Sequence, residues 1–128
     1  MEVERIRNSK LNTMPLLRIT TNQTIAPETQ SHVLKTLSAE IATLLGKSES
    51  YVMTAWLPEA KMTFGGQIVP TAYLELDSID LIAEQAKQLS HLACSIIAEN
   101  TEISPNSIYI KFYDAPRAFW GWDGKTFG

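Results

Sequence analysis

Few side chains in this 128-residue sequence stand in a pattern that carries chemistry. Pro15 is the first of them. A proline nitrogen inside a chain is an amide with no useful basicity. At the head of a chain it is a secondary amine, and free α-amino groups titrate at about 7.7–8.0. An apolar pocket or a neighbouring cation would lower that value further, because each disfavours the ammonium form. Read within the chain, Pro15 is instead a strand-leading proline in an edge position. Lys47 follows Gly46, where a lysine commonly meets the exposed carbonyls at a helix C-terminus. Tyr109 and Lys111 alternate along one short segment and so share a face. Trp120, Trp122 and Phe127 form an aromatic tail, which either receives a flat ring by stacking or makes a subunit-interface patch.

Other chemistry is excluded by what surrounds the residues. His32 and His91 sit on polar helical stretches with no second ligand at i+4, so no metal site is expected. Gly65-Gly66 lacks the strand and helix of a phosphate loop and reads as a turn. Cys94 is the only cysteine, which rules out an internal disulfide and fits a structural role in an apolar helix. The net charge of -3 argues against nucleic acid as the partner. No apolar run approaches the roughly 20 residues needed to span a bilayer. The first residues, Met-Glu-Val-Glu-Arg-Ile-Arg, do not read as a secretory signal, and the expected location is the cytoplasm.

The elements that must position these residues follow from periodicity. Residues 1–13 mix charges with polar groups and read as a flexible N-terminal extension; residues 14–128 form one domain. Residues 16–20 (LLRIT) make a short strand. Pro27 and Glu28 open a helix whose apolar face is Val33, Leu34, Leu37, Ile41, Leu44 and Leu45, and Gly46 closes it. Residues 51–57 (YVMTAWL) make a second strand. The pattern then repeats. Residues 71–76 alternate, with Ala72, Leu74 and Leu76 on one face. Ser78 and Asp80 are expected to cap a helix carrying Ile82, Ala86, Leu89, Ala93, Ile96 and Ile97 on its apolar face. Residues 107–113 (SIYIKFY) alternate strictly.

The domain is therefore α+β. Two βαβ repeats form a four-stranded sheet with two helices on one face. Ile108, Ile110 and Phe112 should face the helices. Tyr73, Tyr109, Lys111 and Tyr113 should face the other way, on a surface that either remains solvated or is covered by further copies of the chain.

The order and spacing of several short segments carry a more specific signal. They are Met14-Pro15-Leu16, Gly46-Lys47 with Tyr51 close behind, Phe64-Gly65-Gly66, Ser78-Ile79, Ile103-Ser104-Pro105, Tyr109-Ile110, Phe112-Tyr113-Asp114, Gly121-Trp122 and Thr126-Phe127. Over residues 14–128 this set resembles the macrophage migration inhibitory factor (MIF) family and its relative D-dopachrome tautomerase. The resemblance implies a homotrimeric barrel with the sheets inside and the helices outside. Three active sites would lie at subunit boundaries.

The resemblance also implies a reaction. The chain would be a cofactor-independent keto–enol isomerase of the phenylpyruvate tautomerase and dopachrome isomerase type. Pro15 would be the general base and Lys47 would bind the carboxylate of an α-keto acid and the developing enolate. Ile79 would line the pocket and offer a backbone group, though core packing at a helix start explains it nearly as well. Tyr51, Trp122 and Phe127 would contact the substrate, and Tyr109 and Lys111 would reach it from a neighbouring subunit. At the Lys111 position the best-known members carry asparagine; Lys111 could add a second cation or pair with an acid such as Asp123. Trp120 replaces a smaller aliphatic residue and would narrow the pocket. Those relatives carry a Cys-x-x-Cys where this chain has Thr71-Ala72-Tyr73-Leu74, so thiol chemistry does not carry over. Neither metal nor cofactor is implied.

The mechanism requires that translation begin at Met14 or that the arm be removed. Against the enzyme stands a cytokine-like, receptor-binding protein with vestigial catalysis. Some animal relatives act in that way, and relatives can leave cells without a signal peptide.

Overall fold

A computed structural model describes residues 13–128; the expected N-terminal arm, residues 1–12 of it, lies outside the described residues. Alternating apolar residues produce β1 (Pro15–Thr21), whose buried positions recur every second residue. The three- and four-residue spacing after Pro27 produces α1 (Pro27–Leu45), and Gly46 ends it in the left-handed conformation at φ 64°. A short 3-10 turn, Glu49–Tyr51, precedes β2 (Met53–Leu57). The second strand thus begins two residues later than the apolar run suggests. Ser48 accepts a hydrogen bond from the Ser50 amide at 3.4 Å and tightens the chain there.

The second half repeats the plan with β3 (Ala72–Ser78), α2 (Ala83–Asn100) and β4 (Ile108–Asp114). Here the expected cap is corrected. Ser78 is the last residue of β3, paired with Pro15 and Asp114, and Asp80 sits in a turn at φ 61°. The entry to α2 is held instead by Asp114 Oδ1, which accepts from the Leu81 amide at 3.2 Å, and by Gln85 Oε1, which accepts from the Ile82 amide at 3.1 Å. Ile82 precedes the helix and is exposed rather than on its apolar face.

The strands lie in the order β2-β1-β3-β4. β1 and β2 are parallel, as are β3 and β4, while β1 and β3 run antiparallel and join the two βαβ halves. Leu17 and Ile19 of β1, Leu74 and Leu76 of β3, and the buried faces of both helices close the main core. Ile108, Ile110 and Phe112 pack against it, as their alternation requires.

Among the described residues, no helix lies on the opposite face of the sheet. Across it run three rows: Met53, Leu16, Asp77 and Tyr113; Ala55, Arg18, Glu75 and Lys111; Leu57, Thr20, Tyr73 and Tyr109. Met53, Leu57, Tyr109 and Tyr113 are large apolar or aromatic groups left exposed. The middle row is ionic: Arg18 meets Glu75 at 2.8 Å and Lys111 meets it at 3.9 Å. Lys111 therefore pairs with its cross-strand neighbour rather than with Asp123.

The aromatic tail is ordered by a small hairpin, β5 (Gly121–Trp122) with β6 (Lys125–Thr126). Asp123 and Gly124, both at positive φ, form its turn, the dipeptide that such two-residue turns favour. Among the described residues no helix is long and apolar enough to cross a membrane.

Candidate active site

The site forms where β1 begins and β3 ends. Pro15 lies opposite Ser78, and the chain leaves β3 through Ile79, itself buried. The Ala115 amide donates to Ser78 O at 2.8 Å, which draws the segment after β4 to the same corner. Met14, Ile79 and Ala115 then make a second, smaller apolar cluster, against which Leu16, Trp120 and Phe127 pack.

Lys47 reaches this corner because of how α1 stops. With Gly46 left-handed, the Lys47 amide turns back to Ala42 O at 2.9 Å, and the chain reverses direction. The Lys47 side chain crosses to the strand ends. Its Nζ donates to Ile79 O at 2.7 Å and to Thr13 Oγ1 at 2.6 Å. Of the two roles the sequence leaves to Lys47, capping helix carbonyls or serving the site, the side chain thus takes a direction away from the helix, toward Thr13 ahead of Pro15 and Ile79 just after β3.

An apolar cavity of about 130 Å³ opens beside Pro15, lined by Met14, Leu16, Tyr51, Met53, Trp120, Gly121, Trp122 and Phe127. Its aromatic wall is geometrically regular. Tyr51 and Trp122 meet edge to face with centroids 5.0 Å apart, and Trp122 stacks on Phe127 at 6.3 Å with the rings 8° from parallel. The hairpin fixes this wall: the Phe127 amide donates to Trp120 O at 3.1 Å, and Arg117 Nη1 donates to Phe127 O at 3.5 Å. Such a wall favours a flat apolar ring.

Of the residues picked out by sequence, Pro15, Tyr51, Trp122 and Phe127 line this one cavity, with Trp120 among them. Lys47 and Ile79 stand behind Thr13 and Met14. Tyr109 and Lys111 are not brought in. Tyr109 is level with Thr20 across β3, five residues along β1 from Pro15, or about 17 Å at the usual rise. It contacts Phe64, centroids 5.0 Å apart, and is 68% exposed.

Three contributors escaped the sequence reading. Met53 lines the cavity because β1 pairs it with Leu16, a register no local pattern reveals. Thr13 and Met14 are buried at the site, although Thr13 belongs to a stretch that reads as an unpacked arm. A larger cavity, about 670 Å³, lies among residues 22–24, 59–63 and 68–70. Its carboxylate, Glu59, accepts from Thr24 Oγ1 at 3.2 Å, and neither Pro15 nor the aromatic wall lines it.

Among the described residues, three ionisable groups outside the cavity are displaced from their ordinary values, the Arg18 guanidinium being raised by its hydrogen bond to Glu75. Burial pushes the Asp77 carboxyl up, with nearby Glu75 adding to the effect and Lys111 and Arg18 opposing it. Burial likewise raises the Cys94 thiol, which disfavours its thiolate form.

A profile of the MIF family matches residues 14–128. The macrophage migration inhibitory factor of Meriones unguiculatus is 36% identical over 117 residues, spanning 89% of this chain and 99% of that protein. That of Rattus norvegicus is 34% identical over 115 residues, with 89% and 99% spanned. The crystal structure of a macrophage migration inhibitory factor homologue from Prochlorococcus marinus superposes with a TM-score of 0.84 at 40% identity, covering 88% of this chain and 99% of that one. A macrophage migration inhibitory factor-like protein from Entamoeba histolytica gives 0.83 at 26% identity, covering 88% and 97%.

Proposed function

Because the chain belongs to the macrophage migration inhibitory factor family, we propose that it is a cofactor-independent keto–enol tautomerase whose general base is the Pro15 nitrogen in a chain that begins at that residue. The observation that carries this reading is the position of Pro15 in the lining of an aromatic cavity, with the Lys47 ammonium hydrogen-bonded two residues upstream.

Each group then has a task. The neutral secondary amine takes a proton from the carbon beside the ketone. Apolar walls and a nearby cation both favour its neutral form. Lys47, held by Ile79 O at 2.7 Å, binds the substrate carboxylate and stabilises negative charge as the enolate develops. Ile79 acts through its carbonyl, by aiming the lysine. Tyr51, Trp122 and Phe127 hold an aryl ring, so a phenylpyruvate-like α-keto acid suits the site better than a small aliphatic one.

Tyr109 and Lys111 belong in this reading to a neighbouring subunit. The sheet face that carries no helix among the described residues, with its exposed Met53, Leu57, Tyr109 and Tyr113, supports burial between copies. A homotrimer would bring the β4 pair of one copy to the Pro15 cavity of the next.

The test compares chains that begin at Pro15, verified by intact mass, with and without Pro15→Gly. A general base contributes about 10²–10⁴-fold, and the variant should lose phenylpyruvate ketonisation on that scale. Undiminished turnover in a chain whose Pro15 nitrogen is still acylated would end the proposal. A receptor-binding protein with vestigial catalysis would instead show negligible turnover in either chain.

A further inference from the structure

We propose that Thr13 and Met14 are a built-in occupant of this site, so that a chain carrying residues upstream of Pro15 is closed to substrate as well as deprived of its base. The proposal rests on the Pro15 reading above and adds a regulatory role for the segment that precedes β1.

Residues ahead of a first strand ordinarily stay in solvent unless something ties them down. Here Thr13 is fully buried and Met14 is 5% exposed, although neither belongs to a helix or strand. A buried hydroxyl is costly without a hydrogen-bond partner. Thr13 Oγ1 has one in the Lys47 ammonium at 2.6 Å. Met14 lies in the apolar cluster with Ile79 and Ala115, against which Trp120 and Phe127 pack, and it forms part of the cavity wall beside Pro15. Its carbonyl accepts from Ser78 Oγ at 3.4 Å.

The two residues divide the site as a ligand would. An oxygen rests on the cation, and an unbranched apolar side chain rests near the aromatic wall. An aryl 2-oxo acid needs the same two places, its carboxylate on Lys47 and its ring along Trp122 and Phe127. Hydrolysis of the Met14–Pro15 bond adds one water, leaving a carboxylate on Met14 and an amine on Pro15. It removes both occupants in the same step. The strand survives the cut, because its pairing with β3 begins at Pro15 opposite Ser78. Loss of the upstream residues therefore creates the base, uncovers the cation and opens the apolar cleft together.

Binding separates this idea from the catalytic one. Hydrocinnamate, an aryl carboxylate with no ketone to enolise, is titrated by calorimetry into three proteins: the full chain, the chain beginning at Pro15, and the full chain with Thr13→Gly and Met14→Gly. The chain beginning at Pro15 should bind at least tenfold more tightly than the full chain. The double variant, if its circular dichroism matches the full chain, should recover most of that affinity while turning over no phenylpyruvate, its Pro15 nitrogen still being an amide. Equal affinity in the full chain and the chain beginning at Pro15, or no binding to either, overturns the proposal. The tenfold difference without any turnover by the chain beginning at Pro15 would uphold occlusion and remove the base.

Discussion

Replacing Lys47 by methionine in the chain that begins at Pro15 tests the chemistry most directly. Methionine keeps a long unbranched stem and discards the charge. In the structure Nζ already donates at 2.6 and 2.7 Å to two oxygens, so it can approach a substrate carboxylate at the place now taken by Thr13. A hydrogen bond to a charged group is worth about 1.5–3 kcal/mol. With about 1.4 kcal/mol per decade, kcat/KM for phenylpyruvate should fall about 10- to 150-fold. A carboxylate stays ionised from ground state to transition state, so most of the loss should appear as a higher KM. Whatever part falls on kcat measures stabilisation of the enolate. The methyl ester of the substrate, lacking that charge, should lose far less. Lys47→Arg keeps the charge on a planar fork of different reach and should restore only part of the activity. Methionine also leaves the Ile79 carbonyl without this donor, at a cost of about 1–3 kcal/mol in stability, so the assay belongs well below the melting temperature. An intact, folded Lys47→Met protein with unchanged kcat/KM would refute the assignment, as would an ester that suffers equally.

Three further outcomes follow from the fold. Leu74 is fully buried in the core between both halves, so Leu74→Ala should cost about 2–5 kcal/mol in denaturant unfolding. Gly46 is left-handed at φ +64° with nothing within 4 Å of an added Cβ. Gly46→Ala should therefore cost about 1–2 kcal/mol through the backbone alone, and any loss of activity beyond that would report misdirection of Lys47. Asp77 carries a raised carboxyl, chiefly from burial. The folded chain thus favours the protonated acid, and the stability this gives is full below the ordinary value of 3.8 and lost as pH rises through the folded value. Asp77→Asn should then stabilise the folded chain at neutral pH by less than about 1 kcal/mol, as for a solvent-screened group, read as a higher melting temperature. The advantage should vanish in melts run at acid pH.

Several elements are legible without coordinates because their signals are local. The repeat of Val33, Leu37 and Ile41 fixes the buried face of α1, and the alternation of Ala72, Leu74 and Leu76 fixes that of β3. Pro27 and Gly46 mark the ends of α1 by their own backbone limits. Where local signals compete with pairing, they mislead. Ser78 and Asp80 resemble caps, but backbone pairing to Pro15 and Asp114 holds Ser78 in the sheet. The amide ahead of α2 takes its acceptor from Asp114, 33 positions away. Asp123-Gly124 in the aromatic tail is a local hairpin signal of the same kind.

The two βαβ halves, the family and the set of residues able to do chemistry are legible in the amino-acid order, since these depend on residue type and short-range spacing. How that set is distributed in space follows from the fold. It sends Lys47 to Ile79 and Thr13, 32 and 34 positions distant, pairs Lys111 with Glu75, and gathers Tyr51, Trp122 and Phe127 around Pro15. It also keeps Tyr109 at the far end of the sheet. Those contacts depend on strand order and register, which are set by how the two halves share one core and not by any residue's immediate neighbours.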